Sequence, residues 1–482
     1  MKTKVIIPST VIWMIGVSAI LLFVSSSLRH ILFQSTAFDL GIFDQAVYLI
    51  SQGLTPVSSF MGYHILGDHA AFIFYPLALL YKIYPSVYWL FAVQAIALAI
   101  GALPTWYLAR QAKLTDRQSI AMVTVYLLYP LIYNVNLFDF HPEVMALPMF
   151  LATIWWAKQG KVAWFCFGIV FILGCKAVLS LTVAAMGVWL LLIEKRRFCG
   201  AFAISTGIAW FFISSQIVIP FFSGREAAAV GRYSYLGNSV VEIAQNLVLK
   251  PGVVLGKVFS FENLGYLVLL LVPVAWGLSW QSLKPLIGAI PCVALNLIAD
   301  YQPQKDLVHQ YSLPALPFLL LAVIASLASN RGWLKKPKFI IIWSLITFLC
   351  LAKFTHFSGK YLELVDNLPA TREAISQVRL APKAIAGYGL RFAIARVQSK
   401  ESLYTTASIS PHLSHRQFIQ LTNADSPPKD LAQFQYVLLN VRHPGWASNQ
   451  QFATSLLNQL KSHSKFQLNY ARDDVYLFSQ KP

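Results

Sequence analysis

Long apolar runs broken by short polar or basic segments dominate the chain up to about residue 354, where the pattern changes. A membrane-crossing helix needs about 20 predominantly apolar residues, with a range near 17–25. The runs predict helices over 5–28, 86–109, 118–134, 142–157, 162–175, 177–193, 200–222, 264–280, 284–299, 311–328 and 338–354. The division between 162–175 and 177–193 is open at this level. Segment 70–84 is apolar too, but Pro76 interrupts it and Lys82 lies near its end, so it is expected to lie along the interface. A second interfacial helix is predicted in FDLGIFDQAVYLISQG, where Phe38, Ile42, Phe43, Ala46, Val47 and Ile50 recur near helical spacing. In the loop 223–263 an amphipathic stretch, SVVEIAQNLVLK, follows Gly and Arg punctuation. Beyond 355 the runs SLYTTA, QFIQLT, FQYVLLNV, FQLNYA and DVYLFS read as strands, and TREAISQVR and ATSLLNQLKSH as helices. The expected fold is an all-α polytopic membrane domain of about eleven spans over 1–354, followed by a small soluble α/β domain over 355–482.

Composition supports this division. The chain is 57% hydrophobic and 12% charged, against about 25% charged in soluble domains. The net charge of +18 comes from basic residues scattered over short loops. They read as topology signals and headgroup contacts, and no nucleic-acid recognition motif or basic arm accompanies them. With 70–84 kept out of the bilayer, the strongly basic short loops fall on one side: Lys2 and Lys4, Arg110 to Arg117, Lys158 and Lys161, Lys195 to Arg197, Lys284, and Arg331 to Lys338. The positive-inside rule then puts the N-terminus in the cytoplasm and the C-terminal domain outside. The five Cys lie in or beside apolar runs without a CxxC pair, which speaks against structural disulfides and thiolate metal sites.

Before residue 354 all acids except Asp116 and Glu194 fall on the expected outer side, several with His beside them. Such gathering of carboxylates and imidazoles at one membrane face marks a candidate site. Asp39 and Asp44 sit in the first outer helix; five residues apart on a helix is about 140° of rotation, so they cannot both face one point. One is expected to enter a cavity and the other to cap the helix or meet water. His64, Asp68 and His69 (YHILGDH) and Asp139, His141 and Glu143 (DFHPE) are candidate substrate contacts and, with a divalent cation, candidate ligands. Glu143 also suits the first turn of a helix begun by Pro142. Arg225, Arg232 and Lys305 are the outer cations placed for a phosphate, with His309 and Tyr311 nearby. These residues are expected to converge on one outer cavity. No GxxxxGK[ST], GxGxxG or HExxH motif occurs.

The segments FDLGIFDQAVY, GDHAAFIFYPLALLY, LYPLIYNVNLFDFHPEV and PHLSHRQFIQL…YVLLN resemble a bacterial family of predicted membrane proteins, number 2079 among the domains of unknown function, over nearly the whole chain. That family is in turn similar to the C-type glycosyltransferases (GT-C), including protein mannosyltransferases and the aminoarabinose transferase of lipid A. The resemblance implies a polyprenyl-phosphate sugar donor, an acid in the first outer loop matched by Asp39 or Asp44, and an extracytoplasmic site at a bacterial plasma membrane. One departure stands out. Where the family places two acids after a Lys, this chain reads Lys176, Ala177, Val178. A GT-C-like inverting glycosyltransferase is the leading expectation, with a carboxylate as general base and Arg or Lys on the leaving phosphate. A non-catalytic scaffold that binds a partner is the alternative. A transporter fits less well, because the acids lie at span ends and not at the midplane.

Overall fold

The structure, a computed structural model, describes residues 7–354, 366–380 and 402–481. Lys2, Lys4 and parts of the C-terminal region lie outside the described residues. The chain is mostly helical. Each predicted apolar run is helical, including Ser9–Ile31, Tyr88–Gln111, Asp116–Phe138, Arg197–Ser223 and Gln310–Ala328. Lys176, extended at φ −166° and ψ 140°, separates Val162–Cys175 from Leu179–Leu192, so these are two helices. Among the described residues five helices are long and apolar enough to cross a membrane. The number is six if Pro251–Val258 and Phe261–Gly277, bent by 56°, count as one. The remaining apolar helices are shorter, so helix length alone does not carry the count to eleven. Segment 70–84 contains a helix of 10 residues, Phe74–Ile83. At 1.5 Å per residue it is about 15 Å long, half of a ~30 Å hydrocarbon core.

Contacts divide the chain into two compact units, and the division differs from a single cut near 354. The first unit comprises Met1–Ser25, Leu66–Ile73 and Phe91–Lys353; the second comprises Ser26–Ile65, Phe74–Leu90 and Phe354–Pro482.

In the first unit, helix ends follow local chemistry. Thr115 and Gln118 form a capping box at the start of Asp116–Leu127, which satisfies orphan N–H groups. Ser239 caps Val240–Leu249 through the Glu242 N–H. Gly160, at φ 72°, ends Glu143–Gln159 in the left-handed conformation. Helices Leu179–Leu192 and Arg197–Ile213 approach closely at small residues: a Cβ on Gly200 would lie 2.6 Å from the Leu191 Cβ, and one on Gly207 2.7 Å from the Ser180 carbonyl. Small residues let apolar helices pack backbone to backbone where no hydrophobic drive separates helix from lipid.

In the second unit the five predicted strand runs form one sheet. They are β3 (Leu403–Thr405), β4 (Ile419–Leu421), β5 (Tyr436–Asn440), β6 (Phe466–Arg472) and β7 (Val475–Gln480), in the order β4-β3-β5-β7-β6. β3 runs parallel to β4 and β5, and β7 antiparallel to β5 and β6. Alternation along β5 explains both cores. Tyr436 and Leu438 join Ala374 and Val378 of helix Leu368–Leu380 on one face. Val437 and Leu439 join Leu456 and Leu460 of helix Gln450–Ser462 on the other. A strand covered on both faces reads as an unbroken apolar run, and β5 is buried throughout. Residues Ser26–Ile65 and Phe74–Leu90 belong to this unit as well. It carries a short ladder of β1 (Val57–Ser58) with β2 (Tyr63–His64). Ser59 Oγ accepts from the Ile419 N–H of β4 at 3.0 Å.

Candidate functional site

The predicted site residues fall into both units, and each unit holds its own cluster. Asp39, Asp44 and His64 belong to the second unit, and the other candidates to the first.

In the second unit, chain 37–51 forms a π-helical turn, Ala37–Gly41, running into helix Ile42–Ser51. The two acids have different surroundings, as the helical rotation requires. Asp39 is partly exposed and accepts a hydrogen bond from Thr36 Oγ1 at 3.2 Å. Asp44 is 1% exposed. Tyr81 Oη donates to its Oδ1, Ser414 Oγ donates to its Oδ2, and His415 Nε2 lies 3.1 Å from Oδ1. The His415 ring stacks on Tyr48 at 4.7 Å. Burial pushes the Asp44 carboxyl up, but the His415 charge and the hydrogen bonds from His415, Ser414 and Tyr81 outweigh it and hold it below its ordinary value. Burial, then the Asp44 charge, pushes the Tyr81 phenol well up, which keeps it a donor. Gln45, next in sequence, donates to Ser59 Oγ at 2.8 Å and to the Arg416 carbonyl at 3.1 Å. Asp44 and Gln45 therefore tie the first-loop helix to the 411–421 segment. His412 stacks on His30 at 4.0 Å, and burial pushes its imidazole well down.

Sequence reasoning missed Tyr81, His412, Ser414 and His415. The signal was present in PHLSHRQ, a polar run with two His among apolar segments, but nothing local links it to Asp44.

In the first unit the DFHPE segment joins two helices. Asp139 caps the C-terminus of Pro130–Phe138 with φ 143° and ψ 176°, and is 2% exposed. This backbone region is essentially reserved for Gly and costs about 1–3 kcal/mol with a side chain. His141 is buried; its N–H donates to Gln94 Oε1 at 3.2 Å and its ring stacks on Phe138 at 5.3 Å. Glu143 opens the next helix, as Pro142 predicts. Its Oε1 also accepts from Lys176 Nζ, a partner the helix-dipole account did not supply. Its Oε2 is buried and has no partner among the described residues.

Lys176 Nζ lies 6.0 Å from the Tyr311 ring. Arg232 packs against the same ring at 4.8 Å and against Tyr301 at 4.5 Å, and donates to Tyr311 Oη at 3.0 Å and Gln304 Oε1 at 3.1 Å. No carboxylate partners Arg232 among the described residues. Its guanidinium is positioned by neutral groups. His309 sits edge-on to Phe138 at 4.3 Å and beside Asp306 at 2.8 Å. These contacts link His141, His309, Tyr311, Arg232, Lys176 and Glu143 into one cluster.

Two expectations need correction. Lys305 does not stand free for a phosphate: its side chain is buried and pairs with Glu262 at 3.5 Å. The metal set is not assembled either. His64 lies in β2 of the second unit, while Asp68 and His69 close the short helix Leu66–His69 in the first and pair with each other at 3.2 Å. Burial pushes the His69 imidazole down against the pull of Asp68. No group of three or more His, Cys, Asp or Glu among the described residues could hold a metal ion. Arg225 is exposed, in the turn after helix Ile219–Ser223, where its N–H donates to Ser223 Oγ at 3.2 Å.

No curated protein matches the sequence. Among solved structures, ArnT from Cupriavidus metallidurans matches in two states. Bound to undecaprenyl phosphate it has a TM-score of 0.53 at 12% identity, and in the apo state 0.54 at 13%. In both, 98% of this chain and 98% of that chain are covered. The likeness is one of fold. The sequence itself carries the family, since the profile described as "Predicted membrane protein (DUF2079)" matches residues 29–477, and the chain belongs to that family of membrane proteins.

Proposed function

We propose that the chain is a GT-C-type glycosyltransferase that takes a sugar from a polyprenyl-phosphate donor at the outer face of a bacterial plasma membrane. One observation carries the reading: a fold shared end to end with a protein crystallised with undecaprenyl phosphate. The roles fall to the two units separately. In the second unit, Asp44 is buried and committed to three donors, which favours the partly exposed Asp39 as general base. In the first unit, Arg232 and the Tyr311 hydroxyl are the groups for the phosphate, with Lys176 and Glu143 setting the local field. An acceptor hydroxyl forms the new bond to the anomeric carbon and gives its proton to a carboxylate acting as general base. The bond from that carbon to the phosphate oxygen breaks, and polyprenyl phosphate leaves with the electron pair. The anomeric centre inverts. Eleven crossings with the N-terminus in the cytoplasm and the region from 355 outside complete the reading, supported by the basic-loop pattern.

The scaffold reading is favoured by one observation, the commitment of Asp44 to structural bonds. The test is purified full-length protein in nanodiscs with polyprenyl-phosphate sugars, following release of polyprenyl phosphate. Asp39→Asn should lower turnover by about 10²–10⁴-fold with unchanged thermal stability. Arg232→Ala should weaken donor binding by about tenfold or more. If wild-type protein neither binds undecaprenyl phosphate nor releases it from any donor, the scaffold reading replaces this one.

A further inference from the structure

A polar cavity lies within the first unit, at the far ends of the helix that Glu143 opens and the helix that follows Lys176. Helix Glu143–Gln159 reaches it at Lys158, about 22 Å along the axis from Glu143 at 1.5 Å per residue. Its volume is about 210 Å³. The apolar part of the wall includes Trp189 and Leu321, and Lys158, Glu194, Arg196 and Gln111 supply its polar groups.

The charges do not cancel. Lys158 Nζ pairs with Glu194 at 2.7 Å and lies 5.4 Å from the Trp189 ring. Arg196 donates one N–H to the Lys158 carbonyl at 2.7 Å. It has no carboxylate partner among the described residues, and a guanidinium has five N–H donors. The plain reading is that both cations answer the carbonyl ends of helices that finish here. It accounts for one Arg196 contact. It does not account for Trp189, 1% exposed, whose Nε1 finds no acceptor among the described residues, or for the buried and unpartnered Gln111 Oε1.

The surroundings indicate the depth. Lys161 Nζ lies 5.1 Å from the Trp155 ring, and Trp156 packs on the exposed Trp164 at 5.5 Å. Tryptophan with Lys and Arg at helix ends marks the headgroup level of a bilayer, and basic pockets between helices at that level suit anionic headgroups. We infer that the cavity walled by Lys158, Arg196 and Trp189 binds the phosphate-bearing headgroup of an anionic membrane phospholipid. Arg196 would hold the phosphate, with Lys158 adding charge and the Trp189 ring forming part of the wall. This site is separate from the Arg232–Tyr311 cluster and does not depend on the proposed reaction.

The test is native mass spectrometry of full-length protein released from nanodiscs of equal phosphatidylglycerol and phosphatidylcholine. Wild type should retain phosphatidylglycerol over phosphatidylcholine by about tenfold, the effect of roughly one charge-assisted hydrogen bond. Arg196→Gln should bring the ratio near one. Glu194→Gln, which removes the carboxylate at the rim and frees Lys158, should raise it, and decides the matter if Arg196→Gln does not fold. The exposed Lys338→Gln, at the start of another helix, should leave it unchanged. Equal retention of both lipids by wild type overturns the proposal, as does an equal loss in Lys338→Gln. Displacement by inorganic phosphate as effective as by dihexanoyl phosphatidylglycerol also overturns it, in favour of a soluble phosphate ligand.

Discussion

At the scale of single residues, two buried carboxylates are held in different ways. Asp44 is depressed by His415 and its hydrogen bonds against the effect of burial. A carboxyl lowered on folding contributes stability that is present above its unfolded value, near 3.9, and lost as pH falls through the folded value. Thermal midpoints of wild type should therefore drop as the pH falls below about 4, and Asp44→Asn should flatten part of that drop. At neutral pH the same change should cost about 1–3 kcal/mol, because an amide nitrogen would meet groups that donate. An unchanged acid slope in the variant would remove Asp44 from the account. Glu143 is instead held by one cation, Lys176. Lys176→Met should destabilise by about 3–5 kcal/mol by leaving a buried charge uncompensated, and Glu143→Gln added to it should restore most of the loss. At Asp139 the backbone itself selects the residue. Asp139→Ala should be less stable than Asp139→Gly by about 1–2 kcal/mol, since both remove the carboxylate and only Ala keeps a Cβ at φ 143°.

At the scale of elements, close packing by small residues separates helices that resemble each other in composition. Gly200 meets Leu191 and has no room for a methyl group, whereas Gly252 has nothing within 4 Å. Gly200→Ala should lower the unfolding temperature by pushing Arg197–Ile213 away from Leu179–Leu192, with a cost of about 1–3 kcal/mol. Gly252→Ala, in helix Pro251–Val258, should be neutral or stabilising by up to about 1 kcal/mol. Equal effects at the two sites would mean that the close approach does not limit stability. Helix Phe74–Ile83 was legible as an element from its length, Pro76 and Lys82. Its contribution to the Asp44 cluster through Tyr81 was not, because an apolar helix gives no local sign of which polar side chain it will bury.

At the scale of the whole molecule, the basic loops predict the topology. Lys113→Cys and Gln450→Cys, in a background with the native cysteines replaced, should react with an impermeant thiol reagent from opposite sides of the membrane. Reaction of both from the same side in intact cells would reject eleven crossings. The contacts add a feature that a linear reading lacked: Ser26–Ile65 and Phe74–Leu90 form one compact unit with the C-terminal sheet region. A segment near the N-terminus thus shares its packing with one more than 350 positions later, as the His415–Asp44 contact shows across 371 positions.

The sequence by itself determined which runs become helices and which become strands, and the starts and stops of many of them. Those outcomes follow from apolar periodicity, Pro and Gly punctuation and capping residues, all of which act over a few positions. It also determined that acids and imidazoles gather in a few short segments. Only the tertiary structure decided what each of them meets. It left Asp39 partly exposed and buried Asp44 among Tyr81, Ser414 and His415. It gave Glu143 to Lys176, kept Arg232 free of carboxylates among the described residues, and committed Lys305 to Glu262. The reason is physical. A charged group's chemistry depends on its burial and on the charges and donors within a few ångströms, and most of those neighbours arrive from distant parts of the chain.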